Sequence, residues 1–214
     1  MLMRAASSSI LLIGGCSGGE EAGALRYIEE VVFQRREVGL EGRSRIVGQL
    51  KEPRRSPAVF RERDGVLVIG GCRAKGYHLS SAERIRWNDG QWKCEPLPQS
   101  SSTEGKSCAA FSSLDEPTGV IVGGFDGNDC LKTVDMVRLN GDKILPVRLM
   151  TARENLVCEV VFDRYIIVMA GWDGRRSLDS VEVFEIVDEH PYLVPITVDI
   201  KLCQARNRPA SIVF

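Results

Sequence analysis

No stretch of this 214-residue chain approaches the roughly 20 consecutive apolar residues of a membrane-spanning helix. Charge of neither sign dominates. There are 28 Lys and Arg against 29 Asp and Glu, for a net charge of −1, so nothing predicts an electrostatic field for nucleic acid or a membrane surface. Histidine is scarce, with His78 and His190 only, too few for a nitrogen-rich copper site. The seven cysteines form no C-x-x-C pair and their count is odd. Reduced thiols in a cytoplasmic setting are the simpler reading. A reactive thiol is conceivable at Cys16 or Cys72, which sit at strand ends near loops. No spacing suits a zinc, P-loop or dinucleotide motif, and no Ser-His-acid set stands out. The expectation is a chain with no catalytic residue, no metal and no cofactor: not an enzyme.

The N-terminus carries Arg4, then Ile10-Leu11-Leu12-Ile13 and Gly14-Gly15-Cys16. It imitates a lipoprotein signal, but its apolar run of four residues falls short of the about 7 to 15 a signal needs. The same phrase recurs as Val66-Leu67-Val68-Ile69-Gly70-Gly71-Cys72, which marks it as a repeated strand. Other repeats follow. Phe60, Phe111, Phe162 and Phe214 close short strand-like runs at intervals of 51, 51 and 52 residues. A period near fifty signals a repeat architecture. Each unit reads as four short strands, a to d. Strand b ends on two tiny residues: Gly14-Gly15, Gly70-Gly71, Gly123-Gly124 and Ala170-Gly171. Strand c carries one acid among β-formers: Glu83, Asp135 and Glu182, with Glu29 or Glu30 in the first unit. Strand d is clearest at Gln91-Trp92. A link containing Arg leads to the next strand a: Arg54-Arg55, Arg153, and Arg206 with Arg208. Gly105-Lys106 takes its place once.

This ordered set resembles the kelch repeat. The resemblance implies an all-β, kelch-type β-propeller of four four-stranded antiparallel blades. Approximate repeats are 10–50, 56–98, 107–150 and 157–202, with a strand 209–214 that completes the first blade. Two arrangements stay open. In one, the termini close a four-bladed ring. In the other, the chain is an arc of a larger propeller whose open blade edges invite self-association. Strand alternation puts b–c loops and d–a links on one face, and kelch adaptors hold partner peptides there. By resemblance, Arg54, Arg55, Arg153, Arg206 and Arg208, with Asp126, Asp173 and Trp172, are the expected partner-binding residues, suited to an acidic protein or peptide. The competing reading has link arginines satisfying carbonyls and acids, and strand-c acids as inter-blade partners. Gly14, Gly15, Gly70, Gly71, Gly123, Gly124, Gly171, Trp92 and the four Phe are the expected structural marks. The functional expectation is a protein-interaction module, such as the recognition part of a ubiquitin-ligase adaptor. The alternative is a carbohydrate-active kelch enzyme such as a sialic-acid epimerase or mutarotase.

Overall fold

The computed structural model describes residues 7–17, 23–35, 38–74, 77–89, 91–97, 106, 110–113, 118–138 and 143–213. All regular structure among them is β. The first blade holds β1 (Ser7–Ile13), β2 (Tyr27–Arg35) and β3 (Leu40–Gln49). The second holds β4 (Ala58–Glu62), β5 (Gly65–Ile69), a small hairpin of β6 (Cys72–Ala74) and β7 (Tyr77–His78), then β8 (Ala82–Asn88) and β9 (Gln91–Pro96). The third is β10 (Ala110–Ser113), β11 (Thr118–Val122), β12 (Thr133–Arg138) and β13 (Lys143–Arg148). The fourth is β14 (Val157–Val161), β15 (Tyr165–Met169), β16 (Leu178–Ile186), β17 (Leu193–Ile196) and β18 (Lys201–Arg206). Each blade is an antiparallel meander, ordered β1-β2-β3, β4-β5-β8-β9, β10-β11-β12-β13 and β14-β15-β16-β17. β18 pairs with the first half of β16.

Apolar residues cluster between blades, because a sheet with one apolar face must cover it with another. Ile28 and Leu50 of the first blade region meet Val68 and Ile85 of the second. Ala58, Phe60, Leu67 and Ile69 meet Ile121 and Val137 of the third. Val120, Val122, Val134 and Met136 meet Ile166, Val168 and Phe184 of the fourth. Phe60, 1% exposed, lies over Gly119 of the next blade; a Cβ there would sit 2.4 Å from its ring. Strands β4, β10 and β14 touch one another in turn, so strand a is innermost.

Several expectations change here. Phe162 is no counterpart of Phe60. It lies in the turn after β14 with φ 53° and is 89% exposed. Strand a of that blade is Val157–Val161, which takes the burial in its place. Phe111 and Phe214 have side chains outside the described residues. Trp92 is half-buried rather than central, packed against the cluster between the first two blades and edge-to-face with Trp87 at 5.2 Å. Strand d of the first blade, faint in the sequence near residues 46–50, is the ten-residue β3. Nearly all of it is exposed, so it carries no apolar alternation. Residues 209–213 lie in no strand, and β1 pairs with β2 alone among the described residues. Of the two arrangements left open, pairing of the last segment with the first blade is not seen among the described residues.

Candidate functional site

Tiny residues at the ends of strand b let each d–a link press against a b–c loop. Gly15 N donates to Arg54 O at 2.8 Å, Gly71 N to Lys106 O at 2.8 Å, Gly124 N to Arg153 O at 2.9 Å, and Gly171 N to Arg206 O at 2.8 Å. Gly14 shows why the pair must be small. Its φ is 67°, and a Cβ would sit 2.3 Å from Arg54 O. Ala170 adopts the same left-handed turn at φ 61°, the one place where a methyl is accommodated.

Each link cation then reaches forward into the next blade. Arg54 Nη2 is 3.0 Å from Glu83 Oε1, Lys106 Nζ is 2.6 Å from Asp135 Oδ2, and Arg153 Nη2 is 2.7 Å from Glu182 Oε1. The backbone of the link is tied to one blade and its side chain to the following one, so these residues are staples. Arg54 also donates to Gly70 O, Ser81 O and Ser81 Oγ. Arg153 donates to Ala170 O, Ser180 O and Ser180 Oγ. Both arginines are fully buried. Their expected role in touching a partner is thus corrected: every face of each guanidinium is turned inward, because the inter-blade acid draws it there. Burial works to raise the Glu83 carboxyl, but bonds from Cys94, Lys51 N and Glu52 N and the charge of Arg54 hold it below the usual carboxylate range.

What stays accessible on this face is a second set. Arg55 is half-buried and exchanges two 2.9 Å backbone bonds with Cys72; its Nε also donates to Cys72 Sγ at 3.3 Å. Glu154 and Trp172 exchange the same pair of backbone bonds two joints further on, each 2.9 Å. Asp126 and Asp173 cap their own loops. Asp126 accepts from Asn128 N and Asp129 N at 2.8 and 2.9 Å, and Asp173 accepts from Arg175 N and Arg176 N at 2.8 Å each. These bonds hold both carboxyls below the usual range. They are turn-builders first. Arg206 and Arg208 are exposed.

His78 was not an expected site residue, yet it holds the most unusual position. Its ring meets Phe125 edge-on at 5.6 Å, and its Nδ1 is buried with no hydrogen-bond partner among the described residues. Burial lowers its pKa; Asp126 opposes the shift and the charge of Arg55 adds to it. The imidazole is therefore neutral near pH 7. Phe125 bridges to Cys130, whose thiol feels the charge of Glu154; the Glu154 carboxyl is itself raised by burial against the opposing charge of Arg208. The signal that could have found this set is positional. Cys16, Cys72, Phe125 and Trp172 each follow the tiny pair directly, so they and the residues bonded to them share one rim. Among the described residues, no cluster of three or more His, Cys, Asp or Glu could hold a metal ion, and no helix is long and apolar enough to cross a membrane.

The comparisons agree with this geometry. The kelch motif family matches residues 160–189, spanning the b and c strands of the fourth blade. A comparison with curated proteins gives no match. Among solved structures, the chain is similar to one titled "Structure of YjhT", with a TM-score of 0.60, 11% identity, and coverage of 90% of this chain and 83% of that one. The fold is an all-β propeller of antiparallel blades, with a kelch motif matched at residues 160–189. The likeness also overturns the expectation that the chain is not an enzyme. That expectation rested on missing motifs, and their absence excludes no activity on this fold.

Proposed function

We propose that the rim formed by Arg55, His78, Phe125 and Glu154 binds an acidic sugar and interconverts its ring forms. The observation that carries this reading is His78: a neutral imidazole beside an aromatic ring, with a buried Nδ1 unpartnered among the described residues. Ring opening of a sugar hemiketal needs one base and one acid and no redox partner. The base takes the proton of the anomeric hydroxyl while the acid protonates the ring oxygen, and the C–O bond between them breaks. Closure on the other face returns both protons. A neutral imidazole suits the base, and a carboxyl raised above its ordinary value suits the acid better than an unshifted one. Arg55 supplies a fork for a sugar carboxylate, and Phe125 a flat apolar surface for the ring. The test is anomer exchange of N-acetylneuraminic acid followed by NMR. His78→Ala and Glu154→Gln are expected each to lower the rate about 100-fold or more. A wild-type protein that exchanges the anomers no faster than buffer overturns the reading.

A second reading is favoured by a different observation. Trp172 is half-buried at the fourth blade with Arg175, Arg176 and Arg208 exposed on neighbouring loops. An aromatic anchor flanked by exposed guanidiniums fits an acidic peptide, as expected of a kelch interaction module. An Arg175→Glu/Arg208→Glu variant is expected to lose an acidic peptide that the wild type binds. Binding of that peptide at unchanged affinity discards the idea.

A further inference from the structure

The two ends of the arc carry complementary halves of one joint. At each internal joint, a link residue gives its carbonyl to the blade behind and its charged side chain to the strand-c acid of the blade ahead. Arg206 repeats the first half, accepting from Gly171 N at 2.8 Å. Its side chain is exposed and has no ion-pair partner among the described residues. Glu29 repeats the second half. It pairs across strands with Leu12 as Glu83 pairs with Val68, Asp135 with Ile121 and Glu182 with Val168. It is the one member of that series without a cation among the described residues. Leu12 is 52% exposed, whereas Val68 is fully covered by the preceding blade. The open face of the first blade thus presents Ile10, Leu12 and Glu29 as an uncovered counterpart of a buried joint.

The strand slots match as well. The first blade has no innermost strand among the described residues. A cavity of about 730 Å³ lies there, lined by Ser9 and Leu11 on one side and Val59, Arg61 and Val66 on the other. At the far end, the chain after Arg206 is led along the inner side of the fourth blade. Arg208 N donates to Asn155 O at 3.1 Å, and Ser211 Oγ bonds Glu159. Ile212 and Val213 are left 80% and 49% exposed. Ser211-Ile212-Val213 repeats the pattern of Pro57-Ala58-Val59, which leads into an innermost strand.

We propose that residues 206–213 of one copy complete the first blade of a second copy, and reciprocally. Arg206 enters the face of Glu29, Leu12 and Ile10, and 211–213 adds antiparallel to the free edge of β1. Among the described residues of one chain the halves do not meet, since the tail lies against β14 and β1 pairs only with β2. Reciprocal exchange covers the exposed ends of both arcs and gives the free inner edge of β1 a partner in each copy. Charge complementarity selects this occupant: a cation and an acid, each without an ion-pair partner among the described residues and each at the place where the internal joints put its partner.

The experiment is sedimentation equilibrium of the full chain, alone and mixed. Wild type is expected as a dimer. Glu29→Arg and Arg206→Glu are each expected to weaken dimerisation about thirtyfold or more, since reciprocal exchange makes each variant lose both charge pairs of the dimer. An equimolar mixture of the two variants is expected to regain the wild-type dimer, because each tail again meets an opposite charge. Arg206 is exposed, so its variant keeps the fold, checked by circular dichroism. A monomeric wild type, as ring closure within one chain would give, overturns the proposal. So do single variants that dimerise like wild type, or a mixture that does not recover.

Discussion

Arg54 Nη2 sits 3.0 Å from Glu83 Oε1 across the boundary between the first and second blades, and both side chains are sealed from solvent. This pair is one of three equivalent joints, and it decides how the blades hold together. Removing one partner of a buried pair strands the other charge, at a cost of about 3–5 kcal/mol. Arg54→Ala and Arg153→Ala are therefore expected to be strongly destabilised in urea unfolding. Arg208→Ala, whose side chain is exposed, is expected to keep the wild-type midpoint.

The same joint sets the acid response. The folded Glu83 carboxyl lies below its usual range, so its contribution is complete above the unfolded value of about 4.3. It is lost as pH falls through the folded value. Urea midpoints of the wild type should fall on acidification through that window, and those of Glu83→Gln should fall less. Equal slopes for the two proteins would assign the acid response elsewhere.

His78 titrates in a separate window. Burial lowers its pKa from the ordinary 6.5, so its contribution is complete above about 6.5 and is lost as pH falls toward the folded value. Imidazole resonances followed by NMR should show His78 still neutral at pH 6.5. Half-protonation at or above that pH contradicts the buried placement.

Glycine substitutions should rank by what their Cβ meets. Gly14→Ala and Gly123→Ala place a methyl 2.3 Å from Arg54 O and Arg153 O respectively, in left-handed backbone. Gly15→Ala is left-handed too, but nothing lies within 4 Å. The left-handed cost of about 1–2 kcal/mol is common to all three. Gly14→Ala and Gly123→Ala should therefore melt well below Gly15→Ala.

Thiol reactivity should follow burial. Burial and the charge of Glu159 push Cys158 up to about 12, and burial with the Glu83 bond does the same for Cys94. Burial and the charges of Glu154 and Asp173 push Cys130 up to about 11. Native alkylation at pH 8, read by peptide mass spectrometry, should label the exposed Cys16 and Cys203 and spare Cys94, Cys130 and Cys158. Their prompt labelling in folded protein would place them differently.

Much of the fold was legible because a blade repeats. The tiny pairs read as the ends of strand b do follow β1, β5, β11 and β15 directly. The tiny pairs, the strand-c acids and the link cations were visible because each has a fixed place in the unit. β3 and β18 were hard to read because both are nearly all exposed, and an exposed strand shows no apolar period. Phe162 misled for the opposite reason. Its spacing matched Phe60 and Phe111, but spacing along the chain does not fix register across a sheet. The rim around His78 was missed because its members come from loops and links of three different joints.

By itself, the sequence determined the strand content, the order of the elements and the residues that recur at each joint, since these follow from local periodicity and backbone preference. Only the tertiary structure decided which arginines face solvent. Arg54 and Arg153 have a blade ahead of them and are drawn inward by its acid, while Arg206 has the same local surroundings and no such acid within reach among the described residues. The difference lies in the neighbour supplied by packing, which no residue-by-residue pattern encodes.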